Sequence, residues 1–218
     1  MLERHITYSK VELRAPEGEE NGRILSGYAA IYDSLSHDLG GFVERVAPGA
    51  FDDALADPDL DVLCRVQHQD GLLVVGRTKS GTLEVGSDDR GLWYRCVLPD
   101  TQAGRDIAVL VERGDIDQSS FAFELHPDGI EEWDWSYDQP LRILRKVHLY
   151  DVAPVSGPAY EATTAHIRSR VFKNAKRRRE MQTRARHLAG HAARVRLHLI
   201  HQDLPRRALV GRRRGTRP

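Results

Sequence analysis

The sequence predicts a mostly β, α+β domain with a few helices, followed by a basic C-terminal tail. Three observations lead there. Short runs of alternating apolar residues recur between positions 23 and 152, separated by Gly-rich turns, which is the pattern of a barrel or sandwich. Ahead of the tail, helical spacing of apolar residues is confined to two stretches, one beginning at Phe51 and one over residues 102–113. The 218 residues carry 32 basic and 32 acidic side chains, yet 17 of the basic and only 2 of the acidic ones lie from Arg168 onward. The front is therefore strongly acidic and the end strongly basic, so the chain divides into a folded domain over 1–167 and an appended segment over 168–218.

Residues 4–13 read as a poor strand and 15–22 as an acidic turn. A strand over 23–32 follows, with Gly27 as the point of a bend or bulge. The polar loop from Ser34 ends in Gly40-Gly41, and residues 42–46 lead into Pro48-Gly49-Ala50-Phe51. Phe51, Ala54 and Leu55 fall at i, i+3 and i+4, so a short helix runs to the Asp57-Pro58 break. Residues 61–68 make a strand with Val62, Cys64, Val66 and His68 on one face. Short strands at 72–76 and 82–85 precede a hairpin turn at Asp88-Asp89-Arg90-Gly91 and a strand over 92–98. Asp100-Thr101 caps a helix over 102–113 with an apolar stripe of Ala103, Ile107, Leu110 and Val111, and Gly114 ends it. The next strand puts Ser119, Phe121, Phe123 and Leu125 on one face and Ser120, Ala122 and Glu124 on the other. The acidic stretch 126–139, with Trp133 and Trp135, reads as a long loop or hairpin tip. A last strand over 141–152 aligns Leu141, Ile143, Val147, Leu149 and Asp151, and a proline-punctuated exit covers 154–160. The tail reads first as a solvated, disordered extension and second as partly helical over 176–200, where apolar positions are few; no aromatic follows Phe172.

Composition excludes several classes. Apolar residues at 40% and charged residues at 29% describe a soluble chain. No apolar run approaches the ~20 residues of a membrane span, and the N-terminus lacks the apolar stretch of a secretion signal. Cys64 and Cys96 are too few for a disulfide framework or a zinc site, and both fall on apolar strand faces, as core thiols do. Gly76-Arg77-Thr78-Lys79-Ser80-Gly81 has neither the order nor the following helix of a phosphate-binding loop. No Asp/His pair has ligand spacing on a suitable scaffold, so neither a metal nor another cofactor is expected.

Three residues can carry chemistry. Ser120 follows a turn and presents a small hydroxyl on the face away from the Phe side chains. A serine nucleophile needs a general base, and His68, at a strand end before Gln69-Asp70-Gly71, has the side chain suited to neutral pH. Asp151 lies in phase with apolar neighbours, where a carboxylate must be paired, and it is suited to orient an imidazole. His148 is a rival for that third role. Plainer readings stand beside these: a turn serine satisfying backbone groups, a histidine bonded to a carbonyl, and a carboxylate capping the following turn.

Several separated motifs, in order over residues 20–170, resemble the prohead maturation proteases of tailed phages. They are Glu44-Arg45-Val46-Ala47-Pro48-Gly49-Ala50-Phe51, Gln67-His68-Gln69-Asp70, and the run from Val75 through Leu83. Asp89-Arg90-Gly91-Leu92, Ser120-Phe121-Ala122-Phe123, and Leu149-Tyr150-Asp151-Val152 through Pro158-Ala159-Tyr160 complete the set. The resemblance implies an assemblin-like fold, a closed antiparallel β-barrel with helices around it. It also implies a serine endopeptidase with Ser120 as nucleophile, His68 as base and Asp151 as third member. This sequence has Asp151 where the family usually has Glu, Ala153 where it has Ser, and Gln69 where it has Asp. Those departures keep an alternative open, a non-catalytic assembly module that binds capsid or scaffold protein. The implied substrates are the scaffolding segment of the major capsid protein, a separate scaffold, or the enzyme's own tail. The implied place is an immature shell in the host cytoplasm, with room for a homodimer and no membrane partner. Nucleic acid enters as a partner only through the basic clusters Lys176-Arg177-Arg178-Arg179 and Arg212-Arg213-Arg214.

Overall fold

The computed structural model describes residues 2–7, 10–14, 23–69, 74–125, 127–156 and 171–189, and structural statements below are of these residues. Twelve strands occur among them. The first six are β1 (Leu2–Thr7), β2 (Glu12–Arg14), β3 (Ile24–Ile31), β4 (Val43–Val46), β5 (Leu63–Arg65) and β6 (Val74–Arg77). The rest are β7 (Leu83–Ser87), β8 (Gly91–Val97), β9 (Gln118–Glu124), β10 (Ile130–Asp134), β11 (Leu141–Lys146) and β12 (His148–Val155). The helices are α1 (Asp52–Ala56), α2 (Gln102–Arg113) and α3 (171–189), and single 3-10 turns occupy Val66–His68 and Thr78–Ser80.

These strands form three sheets, ordered β1-β9-β12-β5-β6, β2-β3-β8-β7 and β10-β11-β4. None closes on itself, so the expected closed barrel is corrected to three open sheets. Nor are all pairings antiparallel: β12 runs parallel to β5, and β11 to β4. Alternation along a short strand fixes which face is buried but carries no information about which strand lies alongside, and that is where the barrel expectation failed.

One apolar core joins the sheets. Phe51, delivered by the Pro48-Gly49-Ala50 turn, meets Phe121 edge-on at 5.1 Å, and Phe121 lies 5.3 Å from Phe123. Leu25, Val62, Tyr94, Leu144 and Val152 fill the rest of that core. Helix α2 forms as expected: Thr101 Oγ1 accepts from the Gly104 N–H at 3.2 Å, and Gly114 ends the helix at φ 79°.

Four elements differ from expectation. The strand read over 4–13 is replaced by β1 and β2, which belong to different sheets. The strand expected over 61–68 is cut to Leu63–Arg65, and its end becomes a tight turn over Val66–His68 in which Gln67 and His68 leave the right-handed helical region. The stretch 126–139 contains β10, whose Trp133 lies 5.1 Å from Phe42 in an aromatic cluster that includes Trp135 and Phe172. The strand expected over 141–152 divides at Val147 into β11 and β12, which belong to different sheets.

The chain separates into two compact units, Met1–Phe172 and Lys173–Pro218. In the second, residues 173–189 continue α3 with seven Lys or Arg and one Glu. Helix over these residues departs from the disordered extension that the sparse apolar positions suggested; residues 190–200, the Pro158-Ala159-Tyr160 exit and the Arg212-Arg213-Arg214 cluster lie outside the described residues.

Arg142 on β11 ties the first sheet to the third. Only 1% exposed, its guanidinium donates to Glu3 on β1, to Glu44 on β4 at 2.8 Å and to Glu131 on β10 at 2.8 Å. Burial raises the Glu3 carboxyl above its ordinary value, with Arg142 opposing. Arg142→Met would leave three carboxylates without their cation, and a loss of about 3–5 kcal/mol is expected in denaturant unfolding at pH 7. Such carboxylates bind protons more readily folded than unfolded, so the variant should regain stability as the pH is lowered toward about 5. A variant that keeps losing stability over that interval would contradict this description of the cluster.

Candidate active site

The sheet order β9-β12-β5 brings three chain segments together. In the pairing of β12 with β9, Leu149 faces Phe123, Asp151 faces Ala122 and Ala153 faces Ser120, with Tyr150 passed over in a bulge. Cross-strand partners share a face, so Leu149 lies with the Phe side chains while Asp151 and Ala153 lie with Ser120. The expectation that Asp151 is in phase with Leu149 is thereby corrected: the extra residue shifts the alternation by one.

Strand β9 is buried on both faces, with Ser119 and Ser120 both at 0% exposure. Ser119 shares a 2.9 Å hydrogen bond with the Tyr94 hydroxyl. Gly27 makes room for it, since a Cβ there would stand 2.9 Å from the Ser119 oxygen. Ser120 points the other way, toward the turn that follows β5.

That turn is unusual. Gln67 and His68 both have left-handed backbones, at φ 58° and 54°, a conformation that costs of order 1–3 kcal/mol per non-glycine residue. The Gln69 N–H donates to the Val66 carbonyl at 3.1 Å, and Gln67 Nε2 donates to Ser156 Oγ at 2.7 Å, just beyond the end of β12. Together these bonds hold the His68 ring over β12. Imidazole Nδ1 lies 2.5 Å from Asp151 Oδ1, and Nε2 lies 2.6 Å from Ser120 Oγ. All three sequence-singled residues are therefore in one line, with His68 5% and Asp151 1% exposed. The small side chains of Ala122 and Ala153 border the line on the same face.

His148 is elsewhere. It pairs with Glu124 across the strands and bonds Asp128 through Nε2 at 3.0 Å, in an exposed setting. His148 first and Lys146 second draw the Asp128 carboxyl down to about 2. The thiols of Cys64 and Cys96 are buried, and contact with Cys96, reinforced by burial, pushes Cys64 well above the ordinary thiol value. Among the described residues, no group of three or more His, Cys, Asp or Glu is placed to hold a metal ion.

Sequence reasoning passed over Arg65. Its Nη1 stands 3.7 Å from Asp151 Oδ2. The available signal was a charged residue inside the apolar run from Val62 to Val66, three positions before His68. Beside the His68 turn opens a cavity of about 660 Å³, lined by Val66, Gln67, Ile107, Leu110, Ile116 and Ser156 among others.

A hydroxyl against one imidazole nitrogen and a buried carboxylate against the other is the arrangement that nucleophilic serine chemistry requires. The chain belongs to the caudovirus prohead serine protease family, whose description matches residues 9–178. The prohead protease of Enterobacteria phage HK97 is 24% identical over 158 residues, which make up 72% of this chain. The chain spans 64% of the length of that curated relative. Among solved structures, the capsid assembly protease of bacteriophage T4 aligns with a TM-score of 0.44 and 12% identity, over 72% of this chain and 97% of that one.

With His148 bonded to Asp128 away from Ser120, His148→Ala should change stability by no more than about 0.5 kcal/mol, as surface substitutions generally do, and should leave any labelling of the protein by a fluorophosphonate unchanged. A loss as deep as that from Asp151→Asn would instead place His148 in the line.

Proposed function

We propose that this chain is a serine endopeptidase of phage head assembly, with Ser120 as nucleophile, His68 as base and Asp151 as the residue that orients the base. The observation that carries the reading is His68 bridging Asp151 and Ser120 through its two ring nitrogens at 2.5 and 2.6 Å. With Nδ1 protonated and donating to Asp151, Nε2 is left to accept the Ser120 proton. Oγ then adds to the scissile carbonyl carbon. As the tetrahedral adduct collapses, His68 returns the proton to the departing amine and an acyl-enzyme remains. Water, deprotonated by the same nitrogen, cleaves the ester and restores the hydroxyl. The carboxylate keeps its negative charge throughout and stabilises the imidazolium formed in each half-reaction.

Family membership supports peptide bonds as the target, and the cavity beside the His68 turn, with an apolar floor of Val66, Ile107, Leu110 and Ile116 and an edge of Asp106 and Asp115, supports a substrate with an apolar side chain. The proposed substrates are the scaffolding segment of the major capsid protein or a separate scaffold, cut inside an immature shell in the host cytoplasm. The chain's own basic tail is a further target. Ala153, which departs from the family's usual Ser, sits directly opposite Ser120 in the pairing of β12 with β9, and the line from Asp151 through His68 to Ser120 is complete without a hydroxyl at that position.

Co-expression with the cognate capsid or scaffold protein, followed by intact-mass measurement, tests the proposal. Ser120→Ala and His68→Ala should each lower turnover by about 10⁶, and Asp151→Asn by about 10⁴. Discrete trimming that persists at the wild-type rate in Ser120→Ala would reject Ser120 as nucleophile.

A further inference from the structure

We infer that Arg65 is a positioning residue of this site: its guanidinium neutralises Asp151 and thereby keeps His68 a proton acceptor. The inference rests on the serine peptidase reading and deepens it.

Asp151 is 1% exposed, and a carboxylate so buried needs a compensating charge. Its Oδ1 is committed to His68. Its Oδ2 is buried, accepts no hydrogen bond, and has Arg65 Nη1 at 3.7 Å. That separation makes the contact electrostatic rather than directional. Arg65 is 22% exposed in its side chain, so its charge stays partly hydrated while acting on the buried oxygen. Arginine is protonated at every relevant pH, so the compensation is permanent.

The same element supplies base and cation. Leu63 and Cys64 on β5 run alongside Asp151 and Val152 in parallel register, Arg65 is the next residue, and the His68 turn follows at once. Among the described residues, the acidic groups nearest the His68 turn on its other side are Asp106 and Asp115, which line the adjoining cavity with Val66 and Gln67. From β9 the carboxylate is faced by Ser120 and Ala122, neither of them charged, and the Cys64 thiol of β5 is held neutral by Cys96 and burial.

Charge accounting then gives Arg65 its role. With neutral His68, the Arg65 cation and Asp151 anion sum to zero. Without Arg65, neutral His68 would leave a buried negative charge, which protonation of the ring would relieve. An imidazolium cannot accept the Ser120 proton. Arg65 therefore favours the form of His68 that starts the reaction, although it touches neither substrate nor reacting atoms.

The test is the rate at which the full-length protein reacts with a fluorophosphonate, measured from about pH 5 to 9. In that reaction the Ser120 oxygen bonds phosphorus, fluoride leaves and the Oγ proton passes to His68. Arg65→Met should move the acid limb of the profile up by about one to two pH units and slow the reaction at pH 7 roughly tenfold. Arg65→Gln, similar in length and neutral, should do the same. Arg65→Lys, which keeps the charge but not the planar fork, should leave the limb in place. Melting temperatures alongside separate folding losses from the profile shift, which a merely structural residue would not produce. A neutral variant whose profile overlays wild type, or a Lys variant shifted as far as Met, overturns the inference. Wild type and Ser120→Ala reacting alike would reject the peptidase reading itself, and this inference with it.

Discussion

The site depends on a single irregularity in strand pairing. By passing over Tyr150, β12 turns Asp151 off the face it would share with Leu149 and onto the face of Ser120. In a regular strand the carboxylate would point into the Phe121 and Phe123 layer, away from the His68 ring and from Arg65. With the bulge, a residue from the middle of a core strand becomes a buried anion between an imidazole and a guanidinium. Burial strengthens the anion's interaction with both neighbours, since charges interact more strongly away from water.

Geometry on the other side of the line is bought by strain. Two successive left-handed residues, neither of them glycine, would not persist in an isolated turn. They persist here because β5 is held parallel to β12 and because Gln67 is bonded to Ser156. The aromatic contacts of Phe51 and Phe121 fix β9 against the core from behind, so Ser120 meets a ring whose position is set by a different pair of strands. The site is thus assembled from rigid neighbours rather than from one segment, and the Arg142 cluster fastens β1, the strand on the far side of β9, to the third sheet.

Much of this was legible in the sequence, and the boundary of legibility is physical. Thr101 and Gly114 announced both ends of α2 because capping is a local property. Alternation in β9 correctly put Ser119 and Ser120 on opposite faces. It did not reveal that both faces are buried, because Ser and Ala at 120 and 122 look like solvent-side residues. The bulge at Tyr150 and the turn at Gln67 and His68 carry no Gly or Pro to mark them. The three sheets and their two parallel pairings are long-range facts that short strands do not encode individually. Arg65 went unnoticed because one charge on a strand is ordinary until its neighbour across the sheet is known to be a buried carboxylate.

The claim on which everything else rests is that Asp151, His68 and Ser120 form one hydrogen-bonded line. The proton NMR spectrum reads it directly, because an imidazole N–H held against a buried carboxylate resonates far downfield of all ordinary amides. Such a signal should be present in the wild-type protein and in Ser120→Ala, and absent from His68→Ala and Asp151→Asn. A wild-type spectrum without it, or a signal that survives in Asp151→Asn, would contradict the line and with it the proposed chemistry.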